Sequence, residues 1–80
     1  MNVIIEISLY PFHEDYKPLI KDFINRLKQY HDLLVNTNST STQVEGEHDY
    51  VFQILSKETA LTFSRDKAVF VMKVLRSRQK

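Results

Sequence analysis

The feature that most constrains this chain's fold is a run of apolar residues spaced three and four positions apart in its first half. The run comprises Tyr16, Leu19, Ile20, Phe23, Ile24, Leu27 and Tyr30. Because an α-helix has about 3.6 residues per turn, these side chains share one face, and the Lys, Asp, Asn and Arg residues between them occupy the other. We therefore predict an amphipathic helix. Asp15 is its expected N-cap, and Pro18 falls in the first turn, where a missing N–H costs little.

Four other segments have the pattern of β-strands. Val3 to Tyr10 alternates between an apolar face and a mixed face and ends at Pro11. Leu33 to Thr37 and Thr42 to Glu45 are the predicted second and third strands, separated by turn-forming residues and followed by Gly46, the only glycine. Ala68 to Leu75 is almost continuously apolar, which predicts a last strand buried on both faces.

A second helix is expected between the third and last strands. Glu47 and Asp49 suit the positive N-terminal turn of a helix, and Glu58 interrupts the apolar stripe that follows. The resulting order is β-α-β-β-α-β in 80 residues. We predict one domain, residues 1–80, with a ferredoxin-like α+β fold: a four-stranded antiparallel sheet with two helices on one face.

The sheet face without helices carries the most informative residues. If the apolar set of the first strand faces the helices, Glu6, Ser8, Tyr10 and Glu45 face the other way, on the two central strands. The last strand adds either Val69, Val71 and Lys73 or Ala68, Phe70 and Met72. An apolar face of this kind predicts self-association to a dimer or tetramer. Glu6 and Glu45 either lie at a rim, near water or Lys73, or form a polar pocket for a cationic small molecule.

Composition and motifs argue against several functional classes. A net charge of +1 is too small for general attraction to nucleic acid or membranes, and the third strand, TQVEGE, lacks the aromatic residues of an RNA-recognition motif. The absence of cysteine excludes thiolate metal sites and disulfides. The histidines are far apart, which predicts no metal site, and the Ser/Thr run has no activating base beside it. We expect no catalytic residues, no cofactor and no enzymatic activity.

The location follows from similar reasoning. The N-terminus lacks the cationic and long apolar stretches of a signal peptide, and no apolar run approaches the roughly 18 residues of a membrane span. We expect a cytoplasmic protein with no membrane or nucleic-acid partner.

Two strings together resemble a known family. Ile7 to Pro11 reads ISLYP, and Thr42 to Glu47 reads TQVEGE, of which the T-x-V-E-G-E part is the more specific. They resemble the thiamine-binding, YkoF-like family of small ferredoxin-like proteins, which is also grouped as an uncharacterised protein family. The similarity covers nearly the whole chain, although the polar turn NTNSTS is longer than usual.

The resemblance implies a non-catalytic, self-associating protein that binds thiamine or its hydroxymethylpyrimidine half. The expected ligand-binding residues are Ser8, Thr42 and Glu45 on the motif strands, with Glu6, Tyr10 and Ser41 nearby. Two alternatives remain open at this point: a structural or regulatory oligomerisation domain without a small ligand and, with less support, an RNA-binding module.

Overall fold

A computed structural model, which describes residues 1–78, contains the predicted elements in the predicted order. They are β1 (Asn2–Pro11), α1 (Lys17–Lys28), β2 (Leu34–Thr37), β3 (Thr42–Glu47), α2 (His48–Arg65) and β4 (Ala68–Arg76). The strands form one antiparallel sheet in the order β2-β3-β1-β4. The ferredoxin-like α+β prediction is confirmed. Neither helix of the described chain has the length and hydropathy needed to cross a bilayer.

The two ladders of β1 differ in length, and this difference shapes one end of the molecule. The β1–β3 ladder stops at the pair Ile7 and Thr42. The β1–β4 ladder continues to Pro11 and Ala68. The last residues of β1 therefore extend beyond β3, so that their main chain is uncovered on the β3 side.

The core lies between the sheet and the helices, as the two periodicities predict. Its buried members are Val3, Ile5, Ile7, Phe23, Leu27, Leu33, Val44, Val51, Ile54 and Leu55. β1 contributes three alternate positions and each helix contributes one stripe, because a strand repeats every two residues and a helix every 3.6. Val44 of β3 and Leu33, which precedes β2, complete the core. Burying this apolar surface is the main force that stabilises the fold.

The start of α1 differs from the prediction. The N-cap is Tyr16, which makes no side-chain capping bond, and Asp15 lies one residue too early. Tyr16 already has helical backbone angles, with φ of −85° and ψ of −19°, whereas a capping side chain works best from an extended backbone. Tyr16 is consequently exposed rather than part of the buried stripe.

The third strand does not end at Gly46 but continues to Glu47. Gly46 is buried opposite Val3, where a Cβ atom would lie 3.0 Å from both Leu33 Cδ2 and Val51 Cγ2. The glycine thus serves close packing of β3 against α2. Glu47 then caps α2, since its carboxylate accepts hydrogen bonds from the amides of Asp49, at 3.1 Å, and Tyr50, at 3.2 Å.

The prediction that β4 is buried on both faces was wrong. β4 is an edge strand, and Val69, Val71, Val74 and Leu75 are all exposed. Phe70 and Met72 pack against the core, which leaves Val69, Val71 and Lys73 on the open face. An apolar run alone does not distinguish a strand that is buried on both faces from an edge strand with one exposed apolar face.

Glu58 interrupts the apolar stripe of α2 and is nevertheless buried. Its carboxylate accepts hydrogen bonds from Arg26 Nη1 at 2.7 Å and from the Tyr30 hydroxyl at 2.6 Å. The bond to this carboxylate raises the pKa of Tyr30, because ionising the phenol would place two negative charges together. The network ties α1 to α2 and satisfies a carboxylate that would be costly to bury alone.

Candidate ligand-binding cleft

A small cleft lies where β1 extends past β3. It is bounded by the end of β1, the inner face of α1 and the β2–β3 turn, and its volume is about 80 Å³. The lining residues are Ile7, Ser8, Leu9, Ile20, Phe23, Ile24, Asn38, Ser39, Thr40, Ser41 and Thr42. The cleft therefore has apolar walls on the side of the sheet and α1 and a polar wall on the side of the turn.

The turn that forms the polar wall is held by one side chain. Asn38 Oδ1 accepts hydrogen bonds from the Thr40 amide at 2.8 Å, the Thr40 hydroxyl at 2.9 Å and the Ser41 amide at 2.9 Å. The Asn38 amide also donates to the Ser41 carbonyl at 3.0 Å. A side chain that bonds the backbone two and three residues ahead is a common way to fix a turn. The cleft wall is thus pre-formed.

Thr42 lines this cleft from the start of β3. The residue is only 6% exposed, because it faces the helices at the start of β3. Within residues 1–78 its hydroxyl makes no hydrogen bond, yet no fully enclosed side-chain oxygen or nitrogen lacks a partner. The hydroxyl is therefore accessible to solvent. It can exchange a water partner for a ligand atom in the cleft that Thr42 lines.

A wider groove continues outward from the cleft. It shares Leu9, Ile20, Ser39 and Thr40 with the cleft, adds Tyr10, Pro11 and Tyr16, and has a volume of about 480 Å³. Tyr10 and Tyr16 are both exposed there. The aromatic rings in this outer groove can pack against the part of a ligand that the cleft does not enclose.

The structure divides the residues that the sequence suggested into two groups. Ser8, Ser41 and Thr42 line the cleft, and Tyr10 lines the outer groove. Glu6 and Glu45 lie outside both, on the open face of the sheet. Glu45 is three residues along β3 from Thr42, which is roughly 10 Å of extended chain, and an odd separation turns it to the opposite face.

Each of the two carboxylates has a local partner. Glu45 pairs with Ile4 in the ladder and accepts a hydrogen bond from the Ser77 hydroxyl at 2.6 Å. Glu6 lies 3.8 Å from Lys73 Nζ, and both side chains retain contact with solvent. For Glu6 this geometry favours the rim interpretation over a cationic pocket.

Several cleft residues were not identified from the sequence. Asn38 was taken only as a turn former, and Ile20, Phe23 and Ile24 only as core residues. The Asn38-Ser39-Thr40-Ser41 string gave part of the signal, because its hydroxyl residues directly precede Thr42 on a motif strand. No sequence pattern predicted that β1 extends beyond the end of its ladder with β3. No group of His, Asp and Glu suited to a metal ion is present in the described part of the chain.

The chain is similar to known families and structures. Residues 2–75 match the model of the YKOF-related family. A hypothetical protein of Methanocaldococcus jannascii is 26% identical, with a TM-score of 0.82 over 99% of this chain and 84% of that one. A Thermotoga maritima protein, provisionally assigned to thiamine biosynthesis or salvage, is 16% identical, with a TM-score of 0.85 over 96% of this chain and 85% of that one.

Further similarity supports the fold alone. A Streptococcus pneumoniae protein is 17% identical, with a TM-score of 0.86 over 99% of this chain and 90% of that one. No protein with a curated description is significantly similar to the chain. The family match spans nearly all of the sequence, and the protein therefore belongs to the YKOF-related family.

Proposed function

We propose that this protein is a non-catalytic binding protein for thiamine or its hydroxymethylpyrimidine half, and that the cleft beside the β2–β3 turn holds the pyrimidine ring. The observation that carries the proposal is the placement of Thr42, which is only 6% exposed and lines the cleft, and whose hydroxyl makes no hydrogen bond within the described residues. Family membership and the provisional thiamine assignment of the Thermotoga maritima neighbour support the choice of ligand.

The chemistry of the cleft suits an aminopyrimidine ring. The flat faces of the ring would pack against the apolar walls formed by Ile20, Phe23 and Ile24. Its ring nitrogens and exocyclic amine would exchange hydrogen bonds with the hydroxyls of Ser41 and Thr42. A hydroxyl both donates and accepts, so it can serve either kind of ring atom.

Self-association is the second part of the proposal. The open face carries Ile4, Leu34, Val69, Val71 and Leu75, and all of these except Ile4 are at least 43% exposed. A second copy of the chain is the simplest cover for such a face. The face also explains how a chain of 80 residues, which has a small core of its own, gains stability.

The experiment that tests the binding function compares two threonines. Thr42→Val removes the cleft hydroxyl and preserves the β-branched shape. Thr37→Val makes the same change at the residue paired with Thr42 in the ladder, which is exposed and does not line the cleft. In isothermal titration with hydroxymethylpyrimidine, Thr42→Val should weaken binding by about 1 kcal/mol, roughly fivefold, the typical worth of one neutral hydrogen bond. Thr37→Val should bind as the unmodified protein does.

The alternative function makes a different prediction for the same titration. An oligomerisation domain without a small ligand would give no heat with hydroxymethylpyrimidine or thiamine at millimolar concentration, while its assembly remained intact in sedimentation. That result would reject the binding function and leave the self-association proposal standing.

A further inference from the structure

The cleft wall is uncharged on every side. β1, α1, the turn and β3 each contribute to it, and every lining residue is either apolar or a neutral Ser, Thr or Asn. This differs from the sequence-based picture, in which Glu45 met a cationic or aminopyrimidine group. The ligand ring would instead enter a site that offers dipoles and no carboxylate.

The charged groups of the same elements lie elsewhere. Lys17, Lys21, Asp22 and Lys28 are exposed on α1. Arg26 is engaged with Asp22 and Glu58. On β1, the only charged side chain is Glu6, which faces the opposite side of the sheet towards Lys73. β2, the turn and the first residue of β3 carry no charged residue between Leu34 and Thr42. Among the described residues, none that lines the cleft or the outer groove is charged.

We propose, resting on the binding function above, that the cleft accepts a single heterocyclic ring only in its uncharged form, and that any charged part of the ligand remains in the outer groove. Moving an ion from water to a site without a counter-charge is far more costly than moving a neutral polar ring whose hydrogen bonds are met. The volume supports one ring. About 80 Å³ is well below the roughly 300–1,000 Å³ of pockets that enclose a whole drug-sized ligand.

The proposal has a consequence for the dependence of affinity on pH. An aminopyrimidine ring takes up a proton in mildly acidic solution and becomes a cation. If only the neutral ring binds, the apparent dissociation constant should rise about tenfold for each pH unit below the ring's own pKa in solution. A site anchored by a carboxylate would do the reverse, since the protonated ring would gain a charge-assisted bond.

The test is isothermal titration of the full chain with hydroxymethylpyrimidine between about pH 8 and about pH 5, a range in which most carboxylates stay ionised. The ring's own protonation is measured separately by ultraviolet absorbance, and circular dichroism checks the fold at each pH. The expected result is weakening that tracks protonation of the ring. Glu6→Gln and Glu45→Gln should leave the profile unchanged.

A matched variant places the missing charge in the cleft. Ser41→Asp adds a carboxylate at a half-buried lining position and should flatten or reverse the pH trend, provided that circular dichroism shows the native fold. Constant or tighter binding by the unmodified protein at acidic pH would overturn the neutral-ring proposal and leave the binding function intact. Absence of binding at every pH would instead reject the binding function itself.

Discussion

The two faces of the sheet are built by the same alternation of residues along the strands, but they form different kinds of surface. On the helix side, the cleft beside the β2–β3 turn has a neutral wall, a turn held by hydrogen bonds and the buried residue Thr42. On the open side, Glu6, Lys73 and Glu45 are interspersed with exposed aliphatic side chains, and each carboxylate has a nearby partner. The first surface is concave and suits a small molecule. The second is broad and suits another protein surface.

This difference shows that charged residues and neutral polar residues are not equally easy to recognise as site residues in a sequence. The carboxylates are the most conspicuous polar residues of the central strands, and they drew attention to the open face. The cleft is formed by uncharged polar residues, which are a turn asparagine and small hydroxyl residues. These residues line a cleft only because the β1–β3 ladder stops before the end of β1. A ligand site built from neutral groups leaves little trace in composition.

The largest expected contrast is in stability, between a core residue and a surface residue. Phe23 is 1% exposed and packs on Phe70 with ring centroids 4.9 Å apart, whereas Tyr10 in the outer groove is 56% exposed. Phe23→Ala should lower the free energy of unfolding by about 3–5 kcal/mol through the cavity it leaves. Tyr10→Ala should change it by less than about 1 kcal/mol. Urea denaturation at one protein concentration measures both losses, and equal losses would contradict the difference in burial between the two side chains.

The next contrast concerns assembly. Val71 and Val74 lie on the same strand and are 50% and 51% exposed, but their odd separation places them on opposite faces. Val71→Asp should weaken self-association by roughly 3 kcal/mol, on the order of 100-fold, because it buries an unpaired charge. Val74→Asp should have little effect. Sedimentation velocity over a concentration series measures the difference, and a stable monomer of the unmodified chain at micromolar concentration would reject self-association through this face.

A smaller effect is expected at the turn. Asn38→Ala removes the acceptor of three hydrogen bonds and should cost about 1–2 kcal/mol of stability, with weaker binding of hydroxymethylpyrimidine. Asn36→Ala is the matched control, since Asn36 is exposed on β2 and pairs with Gln43, away from the cleft. Thermal denaturation and titration measure both properties. If the two variants bound the ligand equally well, the turn would not form the wall of the site.

The smallest effect is expected for Glu45. Glu45→Gln retains an oxygen that can accept the hydrogen bond from Ser77, so stability should change by no more than about 0.5 kcal/mol. Affinity for hydroxymethylpyrimidine should stay within the same limit, because the residue lies outside the cleft. A loss of about 1.5–3 kcal/mol, typical of a charge-assisted bond, would return Glu45 to the binding site.

Much of the fold could be predicted from the sequence because its periodic patterns are strong. The α1 stripe and the β1 alternation fixed the order of elements, the packed face and the antiparallel sheet. The misses came where tertiary contacts decide. Gly46 marked close packing against Leu33 and Val51 rather than a strand end, and the apolar β4 run marked an uncovered edge rather than a core strand. Glu58 is buried because Arg26 and Tyr30 reach it from another helix.

For the candidate site, sequence reasoning found residues but not their grouping. The cleft brings together Ser8, Ser41 and Thr42 because β1 extends past the last residue pair of the β1–β3 ladder. This offset depends on the register between the strands. The same register sends Glu45 towards the opposite end of the sheet, beside Ile4. No local pattern encodes such an offset, since register is set by pairing between strands distant in sequence.

The most direct test of the account is to locate the bound ligand by amide chemical-shift mapping of the isotopically labelled protein during titration with hydroxymethylpyrimidine. We expect the largest shifts on residues 38–42, on Ser8 and Leu9, and on the inner face of α1 from Ile20 to Ile24. Amides around Glu6, Glu45 and Val71 should move little. Shifts concentrated on those open-face residues, with the turn unaffected, would show that the neutral cleft is not the binding site.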